Sequence, residues 1–250
     1  MHTLRLRFYA SLNDFLPKRW KQRTFTLGFL GQPTVRELLI QLNIPPPEVA
    51  FILAEDRAVD FDYRPQEGER LSFYPIFYTL IPGSPLETLP VERPPRFLLD
   101  THLGRLARYL RMLGFDAEHF SAPDPGDGAL VQRAAQDGRV LLTRDRRLLA
   151  RKAVRYGYFV RATAPQAQLL EVVDRFALQT LIRPFSRCLC CNVQLEPVDA
   201  QTVAAQLPPE VRRHYTDFYR CPSCGRIYWE GSHHARMQRL VDQVLQGRDP

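Results

Sequence analysis

The sequence predicts an α/β fold: a parallel sheet with helices on both faces at its centre, a β-grasp unit before it and a cysteine-paired segment after it. Three observations predict this. Residues 96–183 alternate short apolar runs with amphipathic helical stretches, which implies parallel strands joined by helical crossovers. Residues 1–80 read as two strands, a helix and further strands, and four of the five cysteines stand as two CxxC pairs. At ~100–200 residues per domain, 250 residues accommodate such a division. Hydrophobic residues at 45% and charged residues at 24% exclude wholesale disorder. No apolar run approaches the ~18 residues of a membrane span. Met1–Phe8 alternates apolar and polar residues where a secretory signal would be continuously apolar, so a soluble cytoplasmic chain without membrane partners is expected.

In residues 1–80, Leu4, Leu6 and Phe8 alternate with Arg5 and Arg7 as in a half-buried strand, and Thr24–Leu27 is its candidate hairpin partner. Thr34 and Glu37 have capping-box spacing ahead of Leu38, Leu39 and Leu42, so a helix opens there. Strands follow around Phe51–Leu53 and Leu71–Phe77, with Gly68 in the turn between them. Residues 81–95 form a stiff proline-rich linker.

Residues 96–183 begin with the strand Phe97-Leu98-Leu99, ending at Asp100. A helix then carries Leu103, Leu106, Leu110 and Leu113 on one face and Arg105, Arg108 and Arg111 on the other, and Gly114 closes it. Phe115–Phe120, Val140–Leu142 and Tyr156–Val160 read as strands; Asp127–Gln136, Asp145–Lys152 and Pro165–Leu178 read as helices. Ligands of open parallel sheets bind at the carboxyl ends of the strands. Asp100, Asp127 and Asp145 stand at such ends, with Asp124 a rival to Asp127 in the same loop. Converging carboxylates would hold a hard divalent cation, magnesium or manganese. Each aspartate could instead simply cap the helix that follows it.

Net charge is +7, from 34 basic and 27 acidic residues, and residues 96–183 carry fifteen of those bases against nine acids. A basic middle flanked by nearly neutral ends points to a polyanion. Arg105, Arg108, Arg111 and Arg144 are the candidate phosphate contacts, and a cation held by carboxylates beside a polyanion can activate water against a phosphodiester.

Residues 184–238 contain Cys188-Leu-Cys190-Cys191, then 29 residues, then Cys221-Pro-Ser-Cys224. Cys188, Cys191, Cys221 and Cys224 fit two zinc knuckles around one tetrahedral ion, with Cys190 out of step. Four protein ligands leave no open position, so this zinc is structural, and its binding supplies folding energy that so small a core lacks. Tyr228, Trp229, His233 and Arg236 follow the second knuckle, where Tyr228 and Trp229 serve either as base-stacking surfaces or as core. Residues 239–250 read as a fraying helical tail.

Residues 1–80 also resemble the ubiquitin-like sulfur carriers of thiamine and molybdopterin synthesis, notably at Val59-Asp60-Phe61 and Tyr74-Pro75. The Gly-Gly terminus that sulfur transfer requires is replaced by Pro75-Ile76-Phe77-Tyr78, so docking to a protein partner is the expected role. The runs Phe97–Asp100, Leu103–Asp116 and Leu141–Asp145 resemble the Mut-seven C-terminal RNase family. That resemblance covers essentially the whole chain, and implies a PIN-like nuclease fold with an added zinc ribbon. Its acidic positions match Asp100 and Asp145, and Asp127 less closely; the fourth acid of many PIN nucleases has no counterpart after Asp145. The resemblance implies a metal-dependent ribonuclease acting on RNA. The alternative is a non-catalytic nucleic-acid-binding protein with a ubiquitin-like docking domain.

Overall fold

The computed structural model describes residues 2–75, 94–120 and 126–246, apart from the His233 side chain. The linker before Pro94, Asp124 and the last four residues lie outside that description. The chain divides into two compact units, residues 1–93 with 121–160 and residues 94–120 with 161–250.

In the first unit, β1 (His2–Phe8), β2 (Phe25–Phe29), α1 (Val35–Gln41), β3 (Val49–Ala54), β4 (Arg57–Ala58) and β5 (Arg70–Pro75) build a five-stranded sheet in the order β2-β1-β5-β3-β4. β1 is antiparallel to β2 and parallel to β5, with Leu6 opposite Leu71 and Phe8 opposite Phe73. That register puts Leu4, Leu6 and Phe8 in the core, where the Phe8 and Phe73 rings stack at 4.4 Å. Thr34 and Glu37 form the expected capping box, and α1 buries Val35, Leu38 and Leu39 beneath the sheet. Gly68 makes its turn at φ +76°, a left-handed conformation that a Cβ disfavours.

The same unit holds α3 (Gly126–Asp137), β8 (Val140–Thr143), α4 (Arg146–Ala150) and β9 (Gly157–Phe159), with β8 and β9 parallel. The Phe159 N–H finds its acceptor outside the strand pair. The Glu48 carboxylate, fully buried in the turn at Pro46–Glu48, takes it at 2.7 Å. The Phe159 ring meets Phe15 edge-on at 5.8 Å, and the Arg146 guanidinium lies over both rings at 4.8 and 5.0 Å. A β-grasp side chain thus satisfies a strand donor left open for pairing.

The second unit begins with β6 (Phe97–Leu99), α2 (Gly104–Met112) and β7 (Ala117–His119), and β6 pairs in parallel with β7 so that Leu99 faces His119. α5 (Pro165–Arg175) buries Leu169, Val172 and Val173, while Phe97 packs edge-on against Phe115 and Phe176. Gly114 ends the α2 turn at φ +93° with the Arg183 carbonyl oxygen only 2.2 Å from where a Cβ would stand, so no other residue fits there.

The chain then forms β10 (Glu196–Val198), α6 (Ala200–Val203), α7 (Pro209–His214), β11 (Phe218–Arg220), β12 (Ile227–Tyr228) and α8 (Ser232–Gln246). β10, β11 and β12 make an antiparallel three-stranded sheet. Its core has Val203, Leu207 and Phe218 fully buried, with Ile227 and Trp229 packed against them. The final helix starts at Ser232, seven residues before the expected Arg239, and buries Leu240, Val241 and Val244.

Candidate metal centre, acidic positions and basic cleft

The two CxxC pairs fold into knuckles of the same design. In the first, Asn192 N–H donates to the Cys188 carbonyl at 2.9 Å and Cys188 N–H to the Val193 carbonyl at 2.8 Å. In the second, Gly225 and Cys221 make the corresponding bonds, both at 2.9 Å. Each knuckle turns back through a left-handed residue, Asn192 at φ +66° and Gly225 at φ +72°. Asparagine tolerates this conformation, and here its side chain is also used. Asn192 Nδ2 donates to the Asp116 carboxylate at 2.6 Å, and its Oδ1 accepts from Ala117 N–H at 3.0 Å.

The Cys188, Cys191, Cys221 and Cys224 sulfurs all lie within 4.8 Å of one another, the group of three or more metal-capable side chains found among the described residues. Four sulfurs at about 2.3 Å from zinc stand about 3.8 Å apart at the corners of a tetrahedron. Cys188 Sγ and Cys224 Sγ are 3.8 Å apart. The donor set therefore fits a tetrahedral thiolate ion, as the spacing predicted, and Cys190 stays outside it on the surface.

Electrostatics point the same way. Burial raises the Cys188 thiol, but hydrogen bonds from the Tyr228 hydroxyl and the Cys191 and Cys190 amides outweigh it and bring the group to about 6. Cys191, hydrogen-bonded to Cys224, is pushed up to about 12, and burial raises Cys221. Four adjacent sulfurs cannot all carry negative charge without a cation, so one ionises and its neighbours hold their protons. Burial, then the Cys188 sulfur, raise the Tyr228 hydroxyl, which sits 3.1 Å from that sulfur and accepts from Leu189 N–H at 3.2 Å. Tyr228 is therefore placed to orient a ligand, and Trp229 packs, half-buried, against the small core of Val203, Leu207 and Phe218. His234 lies against the Phe185 ring at 4.1 Å.

Arg111 requires a correction. It does not share the exposed face of Arg105 and Arg108; it is 7% exposed. Its Nε donates to the Ala117 carbonyl at 2.7 Å, and Nη1 to the Leu189 and Cys190 carbonyls at 3.0 and 2.8 Å. It ties the first knuckle to α2 and β7, and cannot also grip a phosphate with those donors. Arg187 adds bonds to the Gly114 and Asn192 carbonyls.

Asp100 and Asp145 each follow a strand, whereas Asp127 does not stand at a strand end. Asp100 directly follows β6, is half-buried and accepts Thr101 N–H at 2.6 Å, capping a short 3-10 turn at Thr101–Leu103. Asp145 stands two residues beyond Thr143, is exposed and caps α4 by accepting Arg147 N–H at 2.8 Å. Asp127 lies within the first turn of α3 and pairs with Arg151 at 3.4 Å. Arg144 is exposed and reaches the Val160 carbonyl at 3.3 Å.

Sequence reasoning missed a cleft of about 580 Å³ in the second unit, lined by His102, Gly104, Arg105, Arg108, the largely buried Arg111 and His119, with Leu189 and Cys190 also on its wall. His102 and His119 are seventeen residues apart and become neighbours only through the β6–β7 pairing. Gly104 was the available signal. A Cβ there would stand 3.0 Å from the His119 ring, so the small residue is what lets the imidazole lie on the start of α2.

Comparison with known families accounts for both ends of the chain. The model of the Mut7-C ubiquitin domain matches residues 1–80, and that of the Mut7-C RNAse domain matches residues 95–241. No curated protein and no solved structure gives a significant match. Among the described residues no helix is long and apolar enough to cross a membrane. With more than half its length matched, this chain belongs to the Mut7-C RNAse domain family and carries a Mut7-C ubiquitin-like domain ahead of it.

Proposed function

We propose that the protein is a metal-dependent ribonuclease that hydrolyses RNA phosphodiester bonds. The observation that carries this is the RNAse-domain match over residues 95–241, within which Asp100 and Asp145 sit at the ends of parallel strands. Asp100, Asp127 and Asp145 would hold magnesium or manganese, which supplies an activated water and charge neutralisation at the phosphate when bound. Arg105, Arg108 and Arg144 steer the phosphate backbone. The knuckle cysteines hold one structural zinc, and the segment around it helps position RNA. The ubiquitin-like domain orients the catalytic part, through contacts such as Glu48 on Phe159, and offers its remaining surface to a protein partner. Cysteines kept free as metal ligands suit a reducing compartment such as the cytoplasm.

A second reading has its own observation: Asp100 and Asp145 both accept backbone N–H groups as helix caps, a role complete without catalysis. Incubating zinc-loaded protein with a mixed single-stranded RNA pool, with and without manganese, separates the two. Manganese-dependent cleavage lost in Asp100→Asn and Asp145→Asn supports the ribonuclease. Salt-sensitive RNA binding without cleavage supports the binding protein.

A further inference from the structure

We infer that the basic cleft of the second unit is a pocket for one nucleotide of a single RNA strand, gripped at its phosphate and walled on one side by the first cysteine knuckle. The inference deepens the ribonuclease reading and takes the identity of the strand from it.

Four features assemble the site. Arg105 and Arg108 lie three residues apart on α2, hence on neighbouring parts of one helix face, and both are exposed. Neither enters an ion pair among the described residues, and no acidic side chain is among the residues lining the cleft. With Arg111 the lining holds three guanidinium groups and no carboxylate, which makes the cavity a place for an anion. α2 runs for nine residues from Gly104, which lines the same cavity, so the positive end of its dipole lies beside it. His119 is held beside them by Nε2, 3.0 Å from the Thr101 carbonyl oxygen, with its ring over Gly104.

The remaining walls suit the rest of a nucleotide. Pro165, Leu189 and the imidazole faces offer apolar and stacking surface, and about 580 Å³ lies within the ~300–1,000 Å³ of small-ligand sites. A duplex keeps its bases stacked inward and shows mainly backbone, whereas a splayed nucleotide of a single strand can enter a cavity of this size. The wall is also fixed in place. Leu189 and Cys190 are the residues between two zinc ligands, and Arg111 holds both their carbonyls. The cleft adjoins the candidate chemistry, since the Thr101 carbonyl that positions His119 belongs to the residue after Asp100. A strand whose scissile phosphate lies at Asp100 would have a flanking nucleotide within reach of the pocket.

The test uses the full chain, zinc-loaded and carrying Asp100→Asn so that no cleavage intervenes. Binding of a fluorescent eight-nucleotide single-stranded RNA is followed by anisotropy from 50 to 300 mM salt, with Arg105→Gln/Arg108→Gln as the variant. Each single-strand phosphate contact contributes about 0.7 to the slope of log affinity against log salt, so the double variant should lose about 1.4 of slope. Its affinity at low salt should fall at least about tenfold. Thermal unfolding of the same variant should be unchanged, since both side chains are exposed. An unaltered slope and affinity would overturn the pocket, as would an RNA duplex that binds as tightly and loses the same slope. Manganese-dependent cleavage by the chain without Asp100→Asn is scored separately. A changed slope without any cleavage leaves the pocket standing and removes the ribonuclease. Cleavage with an unchanged slope does the reverse.

Discussion

Replacing Arg111 by methionine keeps the length and apolar stem of the side chain and removes its donors. Three backbone carbonyls then lose their partners: Ala117 on β7 and Leu189 and Cys190 in the first knuckle. A hydrogen bond from a charged donor is worth about 1.5–3 kcal/mol, and a buried acceptor left unpaired costs a further fraction. The three bonds share one guanidinium and are not additive, so a loss on the order of 3–5 kcal/mol is expected, comparable with removing one partner of a buried ion pair. For a chain of this size that lowers Tm by roughly 10 °C. Because two acceptors lie between Cys188 and Cys191, zinc should also leave faster, which transfer to a chromogenic chelator measures. Arg111→Lys keeps the charge but cannot present a planar fork to three carbonyls, so it should recover only part of the stability. A phosphate-steering Arg111 predicts the opposite pattern, with stability intact in both variants and RNA affinity largely kept in Arg111→Lys. A stability change below about 1 kcal/mol with unchanged zinc release would refute the structural role.

Gly114→Ala should destabilise by at least about 3 kcal/mol, because both the positive φ and the Arg183 carbonyl oxygen oppose a Cβ; denaturant unfolding would show it. Glu48→Ala should cost about 1.5–3 kcal/mol through loss of the charged acceptor of Phe159 N–H, and amide exchange at Phe159 should accelerate more than elsewhere on β9. Zinc affinity should rise with pH. Cys191 and Cys221 are raised and so bring protons that the ion must displace, which predicts a slope of at least about two in log affinity per pH unit. Below about 6 the Cys188 thiolate is protonated as well, and the slope should steepen by a further unit; competition against a buffered chelator at several pH values reads both limbs.

Local chemistry was legible where one short stretch of sequence determines it. The Thr34–Glu37 box, the left-handed Gly68 and Gly114, and the alternation of Leu4, Leu6 and Phe8 each specify their own geometry within a few residues. The cysteine cluster was legible because CxxC forms a knuckle by itself and only the meeting of two knuckles is long-range. Arg111 was misread for a reason visible in helix geometry. At 3.6 residues per turn, each three-residue step falls back about 60°, so Arg111 stands about 120° from Arg105 and beside buried Ala107. The cleft was hidden because His119 reaches Gly104 only through strand pairing that local sequence does not specify. The start of α8 at Ser232 was missed because His233 and Arg236 were read with Tyr228 and Trp229 as residues following the knuckle, whereas they already belong to the helix. Asp127 sits inside its helix, where the sequence offered capping as one reading, and pairs with Arg151, which no spacing rule connects to it.

Under the proposed function, Asp100 and Asp145 carry phosphodiester hydrolysis. The most direct measurement compares cleavage of a labelled single-stranded RNA by the zinc-loaded protein and by Asp100→Asn and Asp145→Asn, each with and without manganese, alongside their unfolding curves. The account predicts manganese-dependent cleavage reduced by at least about a hundredfold in both variants, with folding retained. Cleavage by either folded variant at the rate of the unaltered protein would contradict it.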